Sequence, residues 1–231
     1  MAVPRALYTA AGPVTLVGGG PVPPGALAAA LALAPEVVAA DGGGDVPLPA
    51  GVRLAAVIGD MDSLADPEAL RARGVAVHPL GEQETTDLEK CLTSIEAPLC
   101  IGVGFLGGRV DHELAALNAL VRHPGRAVVL VGEADVCFLC PPVLALDLPA
   151  GTRVSLFPLA PTVGRVSEGL VWSVAGLAMA PDGRVGTSNR ARGGRVRVGF
   201  STPAVIAILP EAFLGQVVAA LAVSSPEPRR W

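Results

Sequence analysis

Short apolar runs set the rhythm of the first part of the chain. Residues 14–17, 36–40, 54–58, 75–79, 98–103 and 127–131 are each four to six residues long and rich in Val, Ile, Leu and Ala. Runs of that length read as strands buried on both faces. Segments of helical composition lie between them: 25–34, with Pro23 and Pro24 in its first turn and Pro35 at its end, then 67–73 and 109–121. This alternation continues to Leu139 and predicts an α/β fold, a doubly wound and mostly parallel sheet with helices on both faces. From Gly151 the pattern changes. β-type runs at 153–157, 162–166, 170–174, 195–200 and 205–209 are separated by Gly, Pro, Asn and Ser, which predicts a C-terminal antiparallel β-sandwich. Residues 213–223 read as a short terminal helix and the Pro-rich end to Trp231 as loose.

Charge divides the chain at the same place. Residues 1–147 carry 17 acids and 8 bases, and residues 148–231 carry 4 acids and 9 bases. Two domains are expected, 1–147 and 148–231, with the boundary near Pro149 or Gly151. The net charge of −4 and pI near 5.4 argue against general nucleic-acid or anionic-membrane binding. Residues 6–35 contain no charge, but prolines and the Gly18-Gly19-Gly20 triplet break that stretch well short of the ~20 residues a membrane span needs. A soluble protein without a signal peptide is expected. Cys137 and Cys140 form a CxxC inside an apolar run with no second pair at zinc-site spacing, so buried strand cysteines in a reducing cytoplasm are expected.

Acidic residues follow the predicted strands. Asp41 opens Asp41-Gly42-Gly43-Gly44, and Asp60 and Asp62 stand one residue apart in Gly59-Asp60-Met61-Asp62-Ser63. Asp87 follows Thr85 and Thr86, either of which suits a helix cap, and Asp111 follows Arg109 at a helix start. Asx-turns and helix caps account for any one of these alone, and Ser63 or Asp66 before Pro67 suits a helix N-terminus. A doubly wound sheet gathers all five at one edge, where they need a cation. Hard oxygen ligands suit Mg²⁺, and a metal-bound polyphosphate also gives Arg109 a partner. No P-loop motif and no hydrolase nucleophile elbow is present. A GxGxxG at Gly102, Gly104 and Gly107 precedes a helix, which leaves open a dinucleotide-binding module, although several strands precede it and the aspartates then have no role.

In order and spacing, these pieces resemble the thiamine pyrophosphokinase family. The resemblance rests on Ala40-Asp41-Gly42-Gly43, Ile58-Gly59-Asp60-Met61-Asp62-Ser63, residues 83–92, and Gly107-Gly108-Arg109-Val110-Asp111-His112 with Asn118. Gly169-Leu170-Val171-Trp172 and Thr187-Ser188-Asn189 extend it into the second half. It implies transfer of the terminal pyrophosphate of ATP to the thiamine hydroxyl, releasing AMP, by a homodimer with active sites between subunits. It further implies Mg²⁺ on Asp60, Asp62 and Asp87, and a nucleotide and phosphate site lined by Asp41, Gly42, Gln83, Thr86, Arg109 and Asp111. Trp172 stacked on the thiamine rings, with Ser188 and Asn189 at their polar edge, comes from the same likeness, whereas the residues alone also allow a core tryptophan. A carboxylate, Asp87 or Asp111, is expected to orient the attacking hydroxyl. Glu84 stands where the family more often has an aspartate, and the chain after Leu209 is longer than the pattern. Another hydroxymethyl heterocycle, such as a pterin, is the alternative acceptor.

Overall fold

The computed structural model describes residues 6–223, and the expected tail up to Trp231 lies outside them. The chain divides into two units. The first runs to Ala119 and takes in Leu130–Glu133; the second comprises Leu120–Val129 and the chain from Ala134 onward.

The first unit is the expected α/β arrangement. Its elements are β1 (Tyr8–Thr9), β2 (Val14–Val17), α1 (Ala26–Leu33), β3 (Glu36–Ala40), β4 (Leu54–Gly59), α2 (Pro67–Ala72), β5 (Ala76–Pro79), α3 (Asp87–Ser94), β6 (Ile95–Glu96) and β7 (Cys100–Val103). Two further elements, α4 (Val110–Arg122) and β8 (Val128–Val131), have residues in both units. Strands β7, β2, β3, β4 and β5 lie side by side in that order and are all parallel. Chain direction across the sheet therefore reverses between β2 and β7, the kind of place where open α/β sheets hold ligands. β2, β7 and most of β3 and β4 are buried, as their largely apolar composition requires.

Helix ends follow the local signals. Asp66 caps α2 by accepting from the Ala69 N–H at 2.9 Å, with Pro67 at the first helical position. Thr86 caps α3 through its hydroxyl, and α1 stops just before Pro35. After β3 the chain turns through a 3-10 turn, Asp41–Asp45. A Cβ on Gly43 would lie 2.0 Å from the Val17 carbonyl oxygen. Gly43→Ala must therefore push the turn off β2, at roughly 1–3 kcal/mol, measurable by urea denaturation.

The second unit holds two groups of antiparallel strands. One orders β14 (Gly186–Arg190), β11 (Arg153–Pro158), β16 (Val205–Pro210) and β9 (Asp135–Leu139). The other orders β10 (Leu144–Leu148), β15 (Gly194–Phe200), β12 (Thr162–Glu168) and β13 (Ala178–Met179), and α5 (Leu214–Val223) packs on β10. The chain enters this unit well before Pro149, because β9 pairs with β16 and β10 with β15. The four cysteines are buried.

One expected strand is absent. Residues 170–174 form a single bridge, Leu170 to Ala191, and then leave the sheet as a loop. Gly169 (φ +73°) turns the chain there, and a Cβ on it would lie 2.2 Å from the Arg195 carbonyl oxygen.

Candidate active site

Among the described residues, the non-glycine residues with positive φ are Asp41 (+44°), Met61 (+68°) and Ser188 (+60°). All three lie in segments already singled out by sequence, and such backbone persists only where the surroundings enforce it. At Asp41 the enforcement is visible. The carboxylate Oδ2 accepts from the Ser63 N–H at 3.2 Å, tying the end of β3 to the loop after β4. A Cβ on Gly59 would come within 2.7 Å of the Asp41 Cβ, so glycine is what lets the two strand ends approach.

This approach brings three carboxylates together. One oxygen from each of Asp41, Asp60 and Asp87 lies within 4.8 Å of the other two. Asp87 arrives from the first turn of α3. Asp41 is buried, and its Oδ1 has no hydrogen-bond partner among the described residues. A buried carboxylate oxygen left unpartnered is costly, and three hard oxygen donors around it fit a small divalent cation.

Lys90, one helical turn after Asp87, faces the same group. Its ammonium donates to Asp60 Oδ2 at 2.9 Å and to Asp87 Oδ1 at 3.4 Å, and its side chain is only 2% exposed. Burial alone would lower its pKa, but the Asp60 hydrogen bond and the two carboxylate charges outweigh that and raise it. The Lys90 hydrogen bond, with help from the Gln83 amide at 2.9 Å, holds the Asp60 carboxyl below its ordinary range. Asp87 moves the other way. Burial, with the nearby Asp41 and Asp60 charges, raises its pKa against the pull of Lys90. Sequence reasoning did not single out Lys90. Its signal was nonetheless present: it is the single lysine among 17 basic residues.

The remaining expected residues are placed differently. Asp62 is exposed and accepts from the Ser63 hydroxyl at 2.8 Å, outside the three-carboxylate group. Gly42 packs on Ser63, Gln83 reaches Asp60, and the Thr86 hydroxyl serves the helix cap. Glu84 is exposed and only its backbone N–H is engaged, by Glu82. Arg109 grips both oxygens of Asp111, at 3.1 and 2.6 Å, on the exposed first turn of α4. That pairing holds the Asp111 carboxyl below its ordinary range.

In the second unit, Trp172 is 56% exposed, so it is not a core residue. Its loop is fastened from below. Asn189 is buried; its Oδ1 accepts from the Trp172 N–H at 3.2 Å and the Arg190 N–H at 2.8 Å, while its Nδ2 donates to the Trp172 carbonyl at 2.7 Å. Arg192 donates to the carbonyls of Leu170 and Val171 at 2.8 and 3.0 Å. Ser188 is exposed on strand β14, with its N–H bound to the Ser155 hydroxyl.

The profile of the "Thiamin pyrophosphokinase, catalytic domain" family matches residues 28–130, a stretch holding Asp41, Asp60, Asp87, Lys90, Arg109 and Asp111. Thiamine pyrophosphokinase 3 of Oryza sativa subsp. japonica is 32% identical over 126 residues, 48% of this chain and 47% of that protein. Thiamine pyrophosphokinase 1 of the same plant is 31% identical over 159 residues, 61% of this chain and 60% of that protein. Over this stretch the chain is similar to the thiamine pyrophosphokinases.

The matched stretch spans about half the length of these plant relatives. The thiamin pyrophosphokinase of Candida albicans shares the fold over 91% of this chain and 95% of its own, with a TM-score of 0.72 at 17% identity. That of Geobacillus thermodenitrificans does so over 86% and 96%, with a TM-score of 0.70 at 22% identity. Within this family fold the GxGxxG glycines have a packing role. A Cβ on Gly102 would meet Leu130 at 2.7 Å, and Gly104, at φ +76°, sits against the Gly18 carbonyl. No helix among the described residues is long and apolar enough to cross a membrane.

Proposed function

We propose that this chain is a cytoplasmic thiamine pyrophosphokinase that transfers the β,γ-pyrophosphoryl group of ATP to the hydroxyl of thiamine, giving thiamine diphosphate and AMP. The observation that carries the reading is the unpartnered, buried Asp41 Oδ1 beside Asp60 and Asp87, within the stretch matched by the family's catalytic domain. In this reading the three carboxylates hold Mg²⁺, with Asp62 available from the same loop. The ion, when bound, offsets the charge of the polyphosphate and polarises the phosphorus under attack.

The chain's own residues supply the rest. Lys90 keeps Asp60 and Asp87 together, and Gln83 fixes the orientation of Asp60. Arg109 offers a planar donor fork suited to phosphate oxygens once it turns from Asp111. The thiamine oxygen forms a bond to the β-phosphorus, the bond from that phosphorus to the α,β-bridging oxygen breaks, and AMP leaves with that oxygen. The hydroxyl proton passes to a carboxylate, Asp87 or Asp111, and on to water. Arg109 occupies both Asp111 oxygens, which favours Asp87 in this role. The protein works as a homodimer in which the second copy presents the acceptor-binding face. On that face Trp172 stacks on the thiamine rings and Ser188 meets their polar edge, while Asn189 acts through the Trp172 loop.

The test mixes the protein with ATP, Mg²⁺ and thiamine and resolves the products by chromatography. AMP and thiamine diphosphate in equal amounts, absent without Mg²⁺, are expected. ADP with thiamine monophosphate would overturn attack at the β-phosphorus. Turnover only with a pterin alcohol would overturn thiamine as acceptor.

A further inference from the structure

The charges at the acidic group do not balance. Three carboxylates converge, and the described residues give them one ammonium, which reaches Asp60 and Asp87 while Asp41 Oδ1 has no hydrogen-bond partner among them. Two negative charges are left over. That deficit draws a divalent cation, yet the fixed positive charge of Lys90 stands in the same small volume and opposes a bare ion. A cation carried on a polyphosphate arrives with surplus negative charge, and for that species the same ammonium is attractive.

The choice of lysine supports a selective role. Every other basic residue of the chain is arginine, including those bonded to Asp111, Asp135, Asp147 and Glu168. An arginine fork binds a carboxylate through two parallel bonds and would cover both oxygens of Asp60. An ammonium is a compact point charge that meets Asp60 Oδ2 and leaves the carboxylate able to hold a further cation. Burial at 2% exposure also keeps that charge from being screened by solvent.

We infer that Lys90 is a specificity residue: it sets the carboxylate site to accept a divalent cation bound to a polyphosphate and to disfavour the bare ion. The polyphosphate half of this statement rests on the pyrophosphokinase reading; the bare-ion half rests on the geometry alone.

The test uses the full chain and Mn²⁺ as the probe. Free Mn²⁺ is titrated by electron paramagnetic resonance and Mn²⁺·ATP by calorimetry, for the wild type, Lys90→Met and Lys90→Gln. Gln keeps a donor for Asp60 without the charge, which guards against misfolding of the Met variant. Both neutral variants are expected to bind bare Mn²⁺ at least about tenfold tighter, and Mn²⁺·ATP at least about tenfold more weakly. A merely structural lysine moves both affinities the same way or neither, and that result overturns the inference. The wild type offers a check that needs no variant, since it must bind Mn²⁺·ATP at least about a hundredfold more tightly than Mn²⁺. Binding of Mn²⁺·ATP without that preference overturns the role of Lys90 alone. Binding of Mn²⁺ with none of Mn²⁺·ATP overturns the nucleotide reading as well.

Discussion

Asp87→Asn is expected to abolish measurable pyrophosphoryl transfer while raising the melting temperature of the metal-free protein. Asp60→Asn is expected to abolish transfer and lower that temperature. For both, the loss of turnover is a hundredfold or more, about 3 kcal/mol of barrier, because each removes an oxygen donor where charge must be offset in the transition state. The stability effects have opposite signs for a reason visible in the geometry. Asp60 is stabilised as an anion by the Lys90 ammonium and the Gln83 amide, so its folded pKa is lowered. It contributes stability above its unfolded pKa and loses it as pH falls through the folded value. Burial and the neighbouring Asp41 and Asp60 charges raise the Asp87 pKa. Its anion therefore opposes folding, and the penalty grows as pH rises above the unfolded pKa. Asparagine at position 87 removes the penalty throughout the neutral range. Thermal melts without metal at pH 5 and pH 8 check both signs: the gain from Asp87→Asn is larger at pH 8. A fall in melting temperature for Asp87→Asn would show that its pairing with Lys90 outweighs the repulsion. A site that destabilises the fold which carries it is a familiar expense of function.

Much of this arrangement was legible in the sequence, and what escaped did so for local reasons. Apolar runs ending in glycine or aspartate marked β2, β3 and β4, and the strand alternation carried Asp41 and Asp60 to one edge. Which carboxylates converge was not legible. The left-handed backbone at Asp41 and Met61 decides it, turning Asp41 inward and leaving Asp62 against Ser63. Neither residue type announces that conformation, since only glycine adopts it freely. Gly59 is the enabling feature, because it lets the two strand ends touch. Residues 170–174 misled for the converse reason. Leu-Val-Trp-Ser-Val has strand composition, but Gly169 breaks the ladder and side chains from residues 189 and 192, some twenty positions later, capture the backbone. Side-chain to main-chain capture over that separation leaves no periodicity to read.

That captured loop carries the second large effect. Trp172→Ala is expected to raise the KM for thiamine by about 10- to 100-fold, the 1–3 kcal/mol typical of one aromatic stacking partner, with the KM for ATP unchanged. Trp172→Phe recovers most of that loss, since a smaller ring still offers a face. The loop makes a sharper test possible. If Trp172 acts as a platform, its height and tilt depend on Asn189, whose amide holds both the N–H and the carbonyl of Trp172. Asn189→Leu then raises the thiamine KM nearly as much as Trp172→Ala, although the side chain is buried and cannot itself lie along the substrate. The double variant adds little to either single change, because both remove the same support. Full additivity of the two losses would mean that Asn189 and Trp172 serve thiamine separately. An unchanged KM in Trp172→Ala would mean that this exposed ring serves another purpose, such as contact with a second copy of the chain. Because the substitutions sit on a surface loop and on β14, the binding of Mn²⁺·ATP is expected to stay at its wild-type value throughout the series, which separates a lost acceptor platform from a damaged fold.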